Sequence, residues 1–255
     1  MAQTPPTIFS PSRRTAARRR VLRLQQGADP ARFVIDDIIE DMHERLAFLR
    51  HEPTRALVIG DWTGALAREL VARGHEVMRR GIDELDEEQP YPSGGFDLIV
   101  SLGTLDTVND LPGASASRKW ISAPGGRVIA QFVGAGSLAN LRSAMLAADG
   151  ERPAARMHPM VDVRSAAQLL QRAGWSDPVV DSRSLKVSYR SLDKLVSDLR
   201  DQGLGSVLAS PAPPLTRKGL ERARSAFLEA AGPEGRVTES FEILTLTGRR
   251  SLRGS

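Results

Sequence analysis

The segment Gly60-Asp61-Trp62-Thr63-Gly64 follows directly on the apolar run Ala56-Leu57-Val58-Ile59 and opens a helical pattern that runs from Gly64 to Arg73. A glycine-bearing turn between a buried strand and a helix lets a nucleotide come close to the backbone, while the helix N-terminus offers unpaired amides. Glycine is also used in such turns for steric reasons alone, so the pattern by itself leaves both readings open. A second group of polar residues, Asp106, Asn109 and Asp110, follows the strand pattern Gly95 to Ser101. There it is placed to recognise adenine or a substrate, and Asp110 is equally suited to cap the helix that follows it. Glu239 and Glu242 stand near Phe241 in a strand pattern and project to opposite faces, so they make no paired-carboxylate site. Trp175 and Tyr189 read as core residues.

These residues need a scaffold, and the pattern of apolar residues supplies one. Asp29 to Arg50 carries an amphipathic helix through Phe33, Ile35, Ile38, Ile39, Met42, Leu46 and Leu49. Strands follow at 55–60, 75–80, 95–101 and 126–133. Helices are predicted over 64–73, 138–148, 163–173, 192–202 and 215–231, and Gly74 supplies a helix stop. Residues 178–189 and 236–247 alternate apolar and polar and read as a closing antiparallel pair. The stretch Ser115 to Trp120 offers few apolar positions, so the helix there is expected to be short or poorly packed. Alternating strands and helices predict a doubly wound α/β sheet, with ligand chemistry outside the carboxyl ends of its strands. The expected division is a basic N-terminal segment and covering helix over 1–50, the α/β domain over 51–250 and a tail over 251–255.

The chain has 255 residues, of which 41% are hydrophobic and 26% charged, enough for one sizeable core. It has no cysteine and four scattered histidines, which argues against thiolate metal sites, disulfides and cysteine nucleophiles. No apolar run is long enough to cross a bilayer and no secretory leader is recognisable, so membrane insertion and secretion are not expected and a cytoplasmic location is. The net charge of +4 is concentrated at the ends. Arg13, Arg14, Arg18, Arg19, Arg20 and Arg23 occur without an acid among them, and Arg249, Arg250 and Arg253 close the chain. Such a cluster suits a solvated helix face, an anionic partner such as nucleic acid, or an organellar transit segment. The reading adopted is a segment that contacts a partner, so removal of residues 1–25 is expected to leave the fold standing.

Several stretches, taken in order, resemble the class I S-adenosylmethionine-dependent methyltransferases. They are Ile8-Phe9 with the arginine cluster, Leu57-Val58-Ile59-Gly60 with Gly64, Phe96-Asp97-Leu98-Ile99-Val100-Ser101, and Asn109-Asp110-Leu111-Pro112-Gly113. They continue through Pro124-Gly125-Gly126, Asp162-Val163-Arg164, Leu169 to Trp175, Pro178 to Asp181, Asp198-Leu199-Arg200 and Phe241-Glu242-Ile243. Within that family the chain looks most like bacterial relatives of the mitochondrial complex I assembly factor described as an arginine hydroxylase. It is more distantly similar to the biotin-pathway malonyl-carrier-protein O-methyltransferase.

The resemblance implies a Rossmann-like sheet and S-adenosylmethionine as cofactor, held by Gly60, Asp61, Trp62, Gly64, Asp83, Ser101, Leu102 and Asp106. Trp62 stands where the family carries a glycine, and would project toward the cofactor's methionine and ribose. The acid that ends the second strand in the family is replaced by Arg80-Gly81, with Asp83 the substitute if the loop shifts. Asp106 stands where relatives carry a histidine before the Asn-Asp-Leu-Pro stretch. The function implied is methyl transfer to an unknown acceptor. Two alternatives remain on the same scaffold: an arginine hydroxylase or assembly factor acting on a protein such as a respiratory-complex subunit, and a binding domain without catalysis. On this reading Gly60→Val is expected to weaken cofactor binding more than folding.

Overall fold

The computed structural model describes residues 7–84, 86–89 and 93–252, without the side chains of 116–120. Arg253 and the side chain of Trp120 therefore lie outside the described residues. In chain order the elements are α1 (Pro11–Leu24), α2 (Phe33–Leu49), β1 (Arg55–Ile59), α3 (Ala65–Ala72), β2 (Glu76–Arg80) and β3 (Phe96–Leu102). Then come α4 (Leu111–Ile121), β4 (Ser122–Val133), α5 (Ala139–Asp149), α6 (Val163–Arg172), β5 (Ser176–Tyr189), α7 (Leu192–Asp201), α8 (Arg217–Glu229) and β6 (Val237–Arg249). The sheet order is β2-β1-β3-β4-β6-β5. β1 to β4 are mutually parallel, and β6 runs antiparallel to both β4 and β5. This is the doubly wound sheet with a closing antiparallel pair.

Both faces of the sheet are covered, which is why its central strands are continuous apolar runs. Along β1, Ala56 and Val58 pack among residues of α2, α5, α7 and α8, while Leu57 and Ile59 pack against α4 and α6. The α4 segment forms an 11-residue helix, so the expectation of a short one is corrected; Leu111, Ala114 and Ile121 are buried, and the packing of side chains 116–120 lies outside the described residues. Its N-terminus is held by Asp110, whose Oδ1 accepts from the Gly113 amide over 2.9 Å. Capping, one of the two readings of Asp110, is therefore its observed role. Glu239 and Glu242 hold the turn into α5: Glu239 Oε1 accepts from the Leu141 amide at 2.6 Å and Glu242 Oε2 from the Gly136 amide at 2.7 Å. Burial raises the Glu239 carboxyl above its ordinary range, and hydrogen bonds from Leu141 and Asn140 oppose the shift.

His51, just beyond α2, ties that helix to β3 by donating from Nε2 to the Asp97 carbonyl at 3.1 Å. Burial holds its imidazole below the ordinary 6.5, Arg127 acts in the same direction, and the Asp97 carbonyl, Asp97 and Glu52 oppose it. As pH falls below 6.5 the unfolded chain takes up this proton before the folded one, so His51 subtracts stability through that window. Between about pH 7.5 and about pH 5.5 the wild-type thermal midpoint should therefore fall further than that of His51→Gln, measured by circular dichroism in one buffer series.

Candidate functional site

The turn after β1 is built by close approach of main chain to main chain. Gly60 has φ +82°, and a Cβ there would lie 2.2 Å from the Leu102 carbonyl oxygen and 2.7 Å from Thr104 Cγ2. Only glycine lets β1 and β3 end this close together. Asp61 is fully buried beneath the turn. Its Oδ1 accepts from Thr63 Oγ1 and from the Gly64 amide, both at 2.8 Å, and its Oδ2 from the Ala67 amide at 2.9 Å. The first amides of α3 are thus paired with a side chain, which corrects the expectation that they are left for a ligand. The carbonyls of the turn are also occupied: Arg79 Nε donates to Asp61 O at 2.9 Å and Arg68 Nη1 to Thr63 O at 3.1 Å.

A cleft lies beside this turn, at the carboxyl ends of β1, β3 and β4. Of the residues singled out in the sequence, Trp62, Leu102 and Asp106 line it. Gly60, Asp61 and Gly64 shape the turn behind it, and Ser101 is buried with its hydroxyl 2.7 Å from Thr104 Oγ1. Asp83 is exposed beside Gly81, and its neighbour Ile82 lines the cleft instead. Gly103 is exposed, with φ +61° and open space where a side chain would be. Burial raises the Asp106 carboxyl above the ordinary range, while His158 and Arg18 pull it down.

The cleft is roofed by α1, and two arginines do the roofing. Arg18 makes a two-pronged contact with Glu87, 2.7 Å and 3.1 Å, and donates to the Thr104 carbonyl at 3.2 Å. Arg14 donates to the Thr107 carbonyl at 2.8 Å and reaches Glu88 at 3.2 Å and Asp86 at 3.3 Å. The Glu87 side chain has no exposed surface, and that of Arg18 is 11% exposed. Two further contacts lock the segment. Asn109 Oδ1 accepts from the amides of Ile8 and Phe9, each at 2.8 Å, and Val21 sits on Gly203. Sequence reasoning had placed these arginines on a partner-binding surface. The missed signal was the i, i+4 spacing of Arg14 and Arg18, set against the acidic run Asp86-Glu87-Glu88.

The cavity left beneath α1 measures about 60 Å³. Small-molecule pockets typically enclose about 300–1,000 Å³, so a cofactor-sized ligand requires Trp62 to swing or α1 to lift. The lining fits such a ligand in kind: Asp106 and Gly103, whose amide is already taken by the Gln131 carbonyl at 2.7 Å, border the space, and Leu102, Ile35 and Ile38 give it apolar walls.

Two earlier expectations reverse. Because Gly60 contacts backbone that cannot yield, Gly60→Val should act first on folding: strain at positive φ and overpacking together cost roughly 3 kcal/mol or more, read by urea denaturation. Residues 1–25 include the buried Phe9, Arg14 and Val21, so their removal should lower the thermal midpoint well beyond a few degrees. Arg18→Met should cost roughly 3 kcal/mol, the low end for breaking a buried pair, since Arg14 remains 4.0 Å from Glu87. Adding Glu87→Leu should return most of that loss, and a double variant no more stable than the single one would refute this account of the contact.

A family model described as a methyltransferase domain matches residues 31–177. The malonyl-[acyl-carrier protein] O-methyltransferase of Halorhodospira halophila is 28% identical over 235 residues, covering 82% of this chain and 78% of that protein. The mitochondrial arginine-hydroxylase NDUFAF5 of Homo sapiens is 30% identical over 168 residues, covering 64% of this chain and 49% of that protein, so the match spans about half that relative's length. Among solved structures, the [4+2]-cyclase SpnF is 13% identical with a TM-score of 0.49, covering 98% of this chain and 100% of that one. Because the family model matches more than half of the chain, the chain belongs to the methyltransferase domain family, as an S-adenosylmethionine-dependent methyltransferase-like protein.

Proposed function

We propose that this chain transfers a methyl group from S-adenosylmethionine to an acceptor, with the cleft beneath α1 as the cofactor site. The observation that carries the reading is the place of the cleft. It opens at the carboxyl ends of β1 and β3, where the strand order reverses, and this is where open α/β sheets bind ligands. When bound, S-adenosylmethionine supplies an electrophilic methyl group on a sulfonium centre. Asp106 would accept hydrogen bonds from the ligand's N–H groups, and its charge favours a cationic ligand. Arg14 and Arg18 do not cancel that preference, because Glu87 and Glu88 already neutralise them. Trp62, partly buried and packed on the core, would close one wall and keep water out. Methyl transfer rests on holding the acceptor in line with the methyl group, so it needs positioning more than a strong base.

A second reading, a hydroxylase or assembly factor acting on a protein partner such as a respiratory-complex subunit, is supported by the identity to the arginine-hydroxylase. It is also supported by the outward face of α1, where Arg13, Arg19, Arg20 and Arg23 are exposed. A non-catalytic domain is the third reading, and the small cleft supports it. A cytoplasmic location belongs to the first reading; among the described residues no helix is long and apolar enough to cross a membrane.

Calorimetric titration with S-adenosylmethionine and S-adenosylhomocysteine separates the enzymatic readings from the non-catalytic one. The wild type should bind both, and Trp62→Gly should bind about tenfold more tightly by opening the cleft. The same variant should lose less than the roughly 3–5 kcal/mol typical of truncating a fully buried aromatic. Weaker binding by the glycine variant would show that Trp62 is a contact and not a plug. Absence of heat with both proteins would overturn the enzymatic reading.

A further inference from the structure

Next to the cleft beneath α1 lies a second cavity of about 220 Å³, and Leu204 lines both. Its wall is apolar and unusually rich in sulfur. Met145, Met157 and Met160, half of the six methionines in the chain, meet there beside Leu141 and Leu199. Methionine has three rotatable bonds and a polarisable sulfur, so such a wall can close around a flexible apolar chain. His158 also borders the space, but its Nδ1, which has no hydrogen-bond partner, is sealed off and offers a ligand no contact.

The two cations at this cavity are unequal. Arg156 is committed to Asp149, at 2.5 Å and 2.8 Å, and to the Pro213 carbonyl at 2.9 Å. Arg200 is exposed, and its guanidinium makes no hydrogen bond or ion pair among the described residues. It stands one helical turn after Val196 in α7, and both residues line the cavity. A long cationic side chain lays its methylene stem along apolar surface and keeps its charge in water. The uncompensated charge therefore belongs to the mouth, and the apolar surface to the interior. Size completes the argument. Pockets that enclose a whole small molecule measure about 300–1,000 Å³, so a cavity of about 220 Å³ takes a tail and leaves the head of its ligand outside.

We propose that this cavity binds the alkyl tail of a single-chain carboxylate, with the carboxylate held at the mouth by Arg200. The tail is assigned by the methionine-lined apolar wall. The head is assigned by Arg200, whose forked guanidinium matches a carboxylate and lacks a counter-charge of its own. This site goes beyond the methyl-transfer reading and stands whether or not S-adenosylmethionine binds.

The test uses full-length protein carrying 13C in its methionine methyl groups, titrated with octanoate and followed by NMR. The resonances of Met145, Met157 and Met160 should shift, and those of Met42 and Met78 should stay in place. Affinity should rise about fourfold per methylene from butanoate toward octanoate, until the cavity is full. Octanoate should bind about tenfold more tightly than 1-octanol, which keeps the tail and lacks the charge. Arg200→Gln, at an exposed position, should erase that preference and leave the thermal midpoint unchanged. Val196→Phe should fill the space and abolish binding of both probes. Equal affinity of the wild type for octanoate and 1-octanol overturns the proposal without any variant having to fold. Unmoved resonances at the three methionines also overturn it, and would leave the cavity to an apolar side chain of a partner. So does affinity that does not grow with chain length, which would reduce Arg200 to a surface contact for any anion.

Discussion

The contact between Gly60 and the carbonyl of Leu102 is the constraint from which the working end of this molecule follows. With only a hydrogen atom at Gly60, β1 and β3 end within van der Waals reach of each other, and the chain leaves β1 at a positive φ that other residues adopt only under strain. That exit angle buries Asp61 under the turn, where its carboxylate pairs the first amides of α3. It also turns Trp62 toward the cleft. The turn is therefore complete within the protein itself, and groups that line the cleft beside it are supplied by β3 and the loop after it, at Leu102, Gly103 and Asp106.

The second organising feature is electrostatic. Placing Arg14 and Arg18 over a carboxyl-end cleft would make it repel a cation, and Glu87 and Glu88 prevent this by taking up their charge. Burying ions costs several kcal/mol each in lost hydration, so such a cluster contributes little net stability and mainly specifies one position for the helix. The result is a roof whose seat is defined by geometry-sensitive hydrogen bonds, with much of its contact polar.

Two cavities then share one wall. Asp106 lies on the cleft side and His158 on the side of the methionines, each shifting the other's affinity for a proton. Asp106 follows β3, whereas His158 comes from the irregular segment between α5 and α6. The sheet fixes the first, and the packing of Phe9 from the N-terminal segment holds the second. The N-terminal segment thus lines the cleft and packs against a residue of the second cavity.

The strands, most of the helices and the antiparallel closing pair were legible in the sequence, because apolar period and glycine punctuation are local signals. The run Leu57-Val58-Ile59-Gly60 could only be a strand buried on both faces with a special turn after it, and Asp162 and Ser191 stand as helix caps at the starts of α6 and α7. Family membership was legible too, since its motifs keep their order along the chain. The partnership of arginines near residue 16 with acids near residue 87 was not legible. Like-charged clusters far apart in sequence look solvated until the sheet brings them together, and burial on both sides is a property of the assembled layers. His158 was equally silent, as one histidine among four with no helical partner, because an orphaned nitrogen exists only once its surroundings are closed. What the sequence determined by itself is the set of elements and their alternation, which local hydrophobic periodicity and backbone sterics dictate. What only the tertiary structure decided is which side chains face each cavity, because that depends on long-range packing and on where each charge finds its counter-charge.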